Sequence, residues 1–200
     1  MGKVRAFIAI ELPTEVKSSL SGLIENLRPG RERAVKWVNP KSIHLTLKFL
    51  GDIPERQLVD ITSALAGATE GLTYFDLKLE GIGAFPGLKA PRVVWAGIGG
   101  DISKLMKLQK QVEQSLVPLG FTPEKREFSA HLTLGRVREN ATHLERADLG
   151  LALGKLTPEN ASPFTVSRVS LMQSTLTHSG AIYNQLASIA LDKNKKNMIN

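Results

Sequence analysis

Two histidines and two threonines draw attention because the chain sets them in identical frames. His44-Leu45-Thr46-Leu47 and His131-Leu132-Thr133-Leu134 are the same four residues, 87 positions apart in a chain of 200. At average residue usage a given tetrapeptide recurs in so short a chain in roughly one case in several hundred, so the repetition has a cause. Imidazoles titrate near neutral pH, and modest differences in environment leave one neutral and another charged. Such a pair suits in-line displacement at a phosphodiester, in which a base deprotonates the attacking oxygen and an acid protonates the leaving one on the opposite side of phosphorus. The hydroxyls of Thr46 and Thr133 can donate to the non-bridging oxygens, whose charge also calls for Arg or Lys. Arg136 and Lys48 are the nearest cations.

The side chains need strands to present them together. Ile43 to Leu50 and His131 to Val137 alternate, so one face of each strand carries the histidine and threonine and the other carries the leucines. With the leucines buried, each strand offers one imidazole and one hydroxyl side by side. Strict alternation puts Lys48 on the face of His44 and Thr46 but Arg136 on the leucine face, unless a bulge at Gly135 turns it toward the site.

Other chemistries find less support. The four histidines show neither His-x-His nor His-Glu-x-x-His spacing, and no carboxylate accompanies the motif strands, so no metal is expected. No glycine loop of the kind that cradles nucleotide triphosphates is present. His143 and His178 fall in loop or helix-start contexts and read as surface residues, Trp37 and Trp95 as packing residues, and Tyr183 as core or sheet surface.

Composition narrows the class. With 42% hydrophobic and 22% charged residues, the chain suits one globular domain or two small lobes sharing a core. The absence of cysteine excludes disulfides and thiolate metal sites and fits a reducing interior. The apolar run before Leu12 is too short for a membrane span or signal peptide, and Ala6 occupies the place where a myristoylation motif needs Ser or Thr. A cytoplasmic protein without membrane contact is expected. The net charge of +7 favours phosphate-rich partners without selecting one. Part of it lies in a basic polar tail, 193–200.

Taken in order, strand 4–10 is followed by a helix opened by Pro13-Thr14 and closed by Pro29-Gly30. A short strand 34–38 precedes the first motif. Gly51 to Pro54 read as a turn into a helix carrying Leu58, Ile61 and Leu65, and 72–79 alternates as a strand. From Pro91 the order repeats: strand 93–98, helix 102–119, the second motif, a shorter helix 144–151 and strand 164–171. An offset of 87 residues lays strand on strand and helix on helix. A duplication is inferred, with repeat units of about 4–90 and 91–177 in a single domain, 1–192, and a strand at 181–191 closing the second sheet.

These residues give the chain a family resemblance. A duplicated His-x-Thr-x motif is the signature of the two-histidine (2H) phosphoesterases, and the chain resembles in particular the RNA 2',3'-cyclic phosphodiesterases, formerly called 2'-5' RNA ligases. The flanks are similar too: Trp37-Val38, Ser42 to Gly51, Phe128 to Arg136, Ser174-x-Leu176 and Gly180-x-x-Tyr183. The resemblance spans residues 4 to 191, and its one small departure is Ala130, where many relatives carry proline. It implies an α+β fold of two pseudo-symmetric lobes, with antiparallel sheets flanking a central cleft and helices outside. It also implies metal-independent, cofactor-free hydrolysis of an RNA terminal 2',3'-cyclic phosphate to a 2'-phosphomonoester, with weak 2'-5' ligation as the related reverse reaction. Under the resemblance His44 is the proton donor and His131 the proton acceptor; the symmetry of the motifs alone does not order them. Thr46, Thr133 and Arg136 bind phosphate, RNA ends such as those of tRNA fragments are the partners, and a monomer is expected. Two alternatives stand beside this reading: a phosphodiesterase for small cyclic nucleotides or ADP-ribose cyclic phosphate, and a non-catalytic RNA-binding module.

Overall fold

Apolar runs of period two become strands and runs with apolar residues three and four apart become helices. Their order is β1 (Lys3–Glu11), α1 (Thr14–Leu27), β2 (Val35–Trp37), β3 (His44–Pro54), α2 (Leu58–Thr69), β4 (Phe75–Phe85), β5 (Val93–Gly100), α3 (Ile102–Leu116), β6 (His131–Val137), α4 (His143–Lys155), β7 (Phe164–Val166), β8 (Arg168–Thr177) and β9 (Gly180–Ala190). The computed structural model describes residues 2–156, 162–177 and 180–193. His178 and most of the basic tail, 194–200, lie outside the described residues.

The strands form two antiparallel sheets, one in the order β3-β1-β8-β9 and the other β2-β6-β5-β4-β7. The fold is α+β and two-lobed, as expected. Offset by 87 residues, β1 corresponds to β5, α1 to α3, β3 to β6, α2 to α4, and β4 to β7 and β8. Sequence repeat and lobe do not coincide, however. β4 comes from the first half of the chain and pairs with β5 in the second sheet, whereas β8 comes from the second half and pairs with β1 in the first. Each sheet is therefore built from both halves, and the lobes are tied by exchanged strands.

That exchange decides where the last strand goes. β9 pairs along the whole length of β8 and so extends the first sheet, not the second as expected from sequence. Once β8 lies beside β1, the free edge of β8 is the place that a hairpin partner can occupy. Gly51 to Pro54 also differ from expectation, for they continue β3 and pair with Lys3 to Ala6 instead of forming a turn. β4 runs on to Phe85, past the expected end at Leu79, and the stretch expected as one strand at 164–171 breaks at Ser167 into β7 and β8.

The buried stripes of the helices meet the leucine faces of the strands in one core. It contains Val16, Leu20, Ile24 and Leu27 of α1, Leu105, Leu108, Val112 and Leu116 of α3, and all four motif leucines, Leu45, Leu47, Leu132 and Leu134. Full burial of each such side chain stabilises by about 1.5–3 kcal/mol, so the face carrying the histidines and threonines is fixed as the open one. No helix among the described residues is long and apolar enough to cross a membrane.

Candidate active site

The same irregularity interrupts both motif strands. In β3, Thr46 pairs with Ala9 and Lys48 with Ile8, so Leu47 is an extra residue. In β6, Thr133 pairs with Trp95 and Gly135 with Val94, so Leu134 is extra in the same way. A bulge turns every later side chain to the opposite face. Lys48, placed on the histidine face by alternation, therefore points into the core. It is 4% exposed, and its Nζ lies 2.6 Å from Glu113 Oε2 and donates to the Thr122 carbonyl at 3.0 Å. The next residue, Phe49, swings out to the open face, where it is 67% exposed. In the second copy Gly135 takes the buried place of Lys48, and Arg136 takes the exposed place of Phe49. Lys48 is thereby withdrawn as a phosphate-binding candidate, and Arg136 faces outward through the bulge that it needs.

Gly135 is required sterically. A Cβ there would lie 2.8 Å from Val35 Cγ1 and 3.0 Å from Trp37 Cε3, because β2 pairs beside β6 and these two side chains cover the position.

Both histidines are held by the same device. His44 Nδ1 lies 2.9 Å from the Ser42 carbonyl oxygen, and His131 Nδ1 lies 2.7 Å from that of Ser129. A carbonyl only accepts, so Nδ1 carries the proton in each ring and Nε2 is the nitrogen left for chemistry. It accepts a proton when the ring is neutral and donates one when the ring is charged. Thr46 and Thr133 are half-buried on the same faces, two residues on. β3 and β6 themselves approach one another between the sheets.

The surroundings of the two rings differ. His44 stacks on Phe7 with ring centroids 4.5 Å apart and meets Tyr183 edge-on at 4.9 Å, whereas His131 meets only Phe85, edge-on at 5.1 Å, among the described residues. Burial pushes the His44 imidazole below its ordinary value of 6.5. The Ser42 carbonyl opposes that shift, Lys17 adds to it, and the Glu11 carboxylate opposes it. Glu11 stands opposite His44 on β1 and accepts hydrogen bonds from Ser170 Oγ, at 2.6 Å, and from Gln185 Nε2.

A cavity of about 740 Å³ opens beside His44. Its walls include His44, Arg136, Trp37 and Tyr183, together with Lys17, Lys36, Lys41 and Glu11. The structure thus brings the first histidine and the second motif's arginine to one cavity. Thr46, His131 and Thr133 sit on the open faces but not on this wall. The sequence reads Trp37 as a packing residue and Tyr183 as core or sheet surface; both line the cavity. The carbonyls of Ser42 and Ser129 were also missed, although the Ser-x-His spacing repeats with the motif. His143 is exposed at the start of α4, as expected. Among the described residues no three His, Asp or Glu side chains converge where they could hold a metal ion.

Comparison with known proteins agrees with this geometry. The family model "LigT like Phosphoesterase" matches residues 10–95 and again 100–183, one match to each half of the chain. The RNA 2',3'-cyclic phosphodiesterase of Methanothermobacter thermautotrophicus is 34% identical over 184 residues, covering 92% of this chain and 97% of the relative. That of Aeropyrum pernix is 37% identical over 159 residues, covering 78% and 85%. Among solved structures, a Thermus thermophilus protein superposes with a TM-score of 0.77 at 28% identity, covering 94% of this chain and 97% of its own. Escherichia coli LigT complexed with 3'-AMP gives 0.76 at 24% identity, covering 95% and 99%, a likeness of fold. Two matched histidine strands on a shared two-lobed fold, each half fitting the same family model, place the chain in the LigT-like phosphoesterase family.

Proposed function

We propose that the protein hydrolyses RNA ends carrying a 2',3'-cyclic phosphate to 2'-phosphomonoesters, by acid–base catalysis from two histidines without a metal. The observation that carries the reading is the paired presentation of Nε2, with each Nδ1 tied to the carbonyl two residues before it. The names of the relatives, each an RNA 2',3'-cyclic phosphodiesterase, support the same substrate.

In this mechanism His131 Nε2 takes a proton from water as the water oxygen bonds to phosphorus. The bond from phosphorus to O3' breaks, and His44 Nε2–H delivers its proton to the departing oxygen. One proton is gained and one lost, so the two rings exchange protonation states and reset through solvent. Thr46, Thr133 and Arg136 donate to the non-bridging oxygens. The cavity supports this order of roles. The leaving oxygen stays attached to the ribose, so the acid must stand where a nucleoside fits, and His44, not His131, lines the cavity. Burial favours the neutral form of His44 in the free protein, so the phosphate anion must draw the proton onto it when substrate binds.

The reverse attack, by a 5'-hydroxyl in place of water, gives weak 2'-5' ligation. The proposal extends to tRNA fragments as a source of such ends and to a cytoplasmic monomer, supported by the net charge of +7 and the cysteine-free sequence.

The test is incubation of EDTA-treated protein with a short RNA ending in a 2',3'-cyclic phosphate, alongside His44→Ala and His131→Ala. A 2'-phosphate product, with turnover lost in both variants, is expected. Absence of turnover in the wild-type protein would refute the proposal.

A further inference from the structure

The cavity beside His44 is larger and more cationic than a single cyclic phosphate requires. At about 740 Å³ it falls within the range of roughly 300–1,000 Å³ typical of cavities that enclose a whole small molecule. Four cations, Lys17, Lys36, Lys41 and Arg136, face one carboxylate, Glu11, whose oxygen already accepts from Ser170 and Gln185. Among the described residues none of the four cations is in an ion pair. They also come from separate elements: Lys17 from the first turns of α1, Lys36 from β2, Lys41 from the turn between β2 and β3, and Arg136 from β6. Lys36 and Lys41 are exposed and Lys17 is half-buried. Here the fold gathers them around one concavity, where unpaired like charges raise the local concentration of anions.

A cyclic phosphodiester brings one negative charge, which Arg136, the threonine hydroxyls and a protonated His44 already answer. The three lysines are left without an anion. We propose that Lys17, Lys36 and Lys41 form a second phosphate subsite, which holds a phosphate on the 5' side of the nucleoside that bears the cyclic phosphate. The assignment rests on the function proposed above, because it places the terminal ribose at His44 and directs the remainder of the substrate into the cavity. The second phosphate comes either from the internucleotide linkage of an RNA strand or from the 5'-phosphate of a small nucleotide, and the site recognises the chemistry common to both.

Calorimetric binding of three product-like probes tests the subsite without requiring turnover: adenosine 2'-phosphate, adenosine 2',5'-bisphosphate, and the dinucleotide ApA bearing a terminal 2'-phosphate. The second phosphate is expected to tighten binding at least about tenfold, as one charge-assisted contact does. The slope of log affinity against log salt should steepen by about 0.7 for each phosphate contact added. In Lys36→Ala/Lys41→Ala and in Lys17→Ala the advantage of the second phosphate should shrink toward unity, while circular dichroism melts confirm that the variants fold. A gain confined to the dinucleotide identifies the internucleotide phosphate, a gain confined to the bisphosphate identifies a small nucleotide, and either supports the subsite. Equal affinity for all three probes would overturn it. A preserved gain in a protein that turns over no cyclic phosphate would instead count against the proposed reaction and leave the subsite standing.

Discussion

The pair formed by Lys48 and Glu113 gives the sharpest test of the bulged geometry. Their side chains are 2% and 10% exposed and 2.6 Å apart. Glu113 Oε2 also accepts from the backbone N–H of Glu124 at 3.3 Å, and Oε1 accepts from Gln109 Nε2 at 3.3 Å. With the Thr122 carbonyl on Lys48, the pair ties β3 to α3 and to the loop that leads into β6. In Lys48→Met the carboxylate loses its cation but stays buried. Breaking a buried pair by removing one partner costs about 3–5 kcal/mol, which for a chain of this length corresponds to a fall of roughly 6–20 °C in Tm.

The double variant Lys48→Met/Glu113→Leu removes both charges and should recover most of the loss, because apolar replacement of a buried pair is close to neutral. Thermal melts followed by circular dichroism give both numbers. If Lys48→Met lost less than about 1 kcal/mol, Lys48 would have to point outward and the bulge at Leu47 would be wrong.

Gly135→Ala should destabilise by about 1–3 kcal/mol, since its Cβ meets Val35 and Trp37; denaturant melts showing no loss would mean that β2 is not seated on β6. Arg136→Ala should lower kcat/KM for a cyclic phosphate end by about 10²-fold, as for removal of one preorganised donor, with Arg136→Lys recovering part; steady-state assays decide it. The His44 ring should titrate below 6.5 in the free protein, because burial dominates its surroundings, and NMR in the presence of sulfate should show the midpoint moving up. By reciprocity, sulfate should bind more tightly as pH falls through the His44 titration. Without an anion, the stability contributed by the neutral buried ring is complete above about 6.5 and declines as pH falls below it, which a series of melts can follow.

The two motifs were legible because a strand's period of two sorts histidine and threonine from leucine, and the leucine faces do lie in the core. Helical spacing at Val16, Leu20, Ile24 and Leu27 likewise marked the buried stripe of α1. Failures came where chemistry depended on register or on pairing partners. Alternation misplaced Lys48 because nothing in Leu47-Lys48 announces a bulge, whereas Gly135 in the second copy did offer a signal. The exchange of β4 and β8 was invisible because both halves have the same order of elements, and pairing within or between halves leaves that order unchanged. The ring anchors escaped notice because they are carbonyls, for which almost any residue at 42 or 129 would serve.

Unequal roles on equivalent backbones follow from how each copy fills the positions around its bulge and from the rings that neighbouring strands pack on its histidine. The first copy places a cation inward and an aromatic ring outward, Lys48 and Phe49; the second places glycine inward and a cation outward, Gly135 and Arg136. The first therefore holds its strand to α3 through a buried pair and packs His44 between Phe7 and Tyr183. The second leaves space for the Val35 and Trp37 side chains of the neighbouring β2 and lends its cation to the cavity beside the other copy's histidine. A symmetric frame alone would give two histidines with one affinity for protons, which cannot divide donor from acceptor at a single phosphate. The rings packed on the first copy supply the difference: His44 is desolvated against Phe7 of β1 and Tyr183 of β9, next to the cavity that accepts a nucleoside, and it gains its proton when a phosphate arrives. Exchanging those surroundings, for instance with Tyr183→Ala to rehydrate His44, should raise the titration midpoint of the free ring and reduce the upward movement caused by sulfate. An unchanged midpoint in Tyr183→Ala would show that the asymmetry of the site lies elsewhere than in the packing around His44.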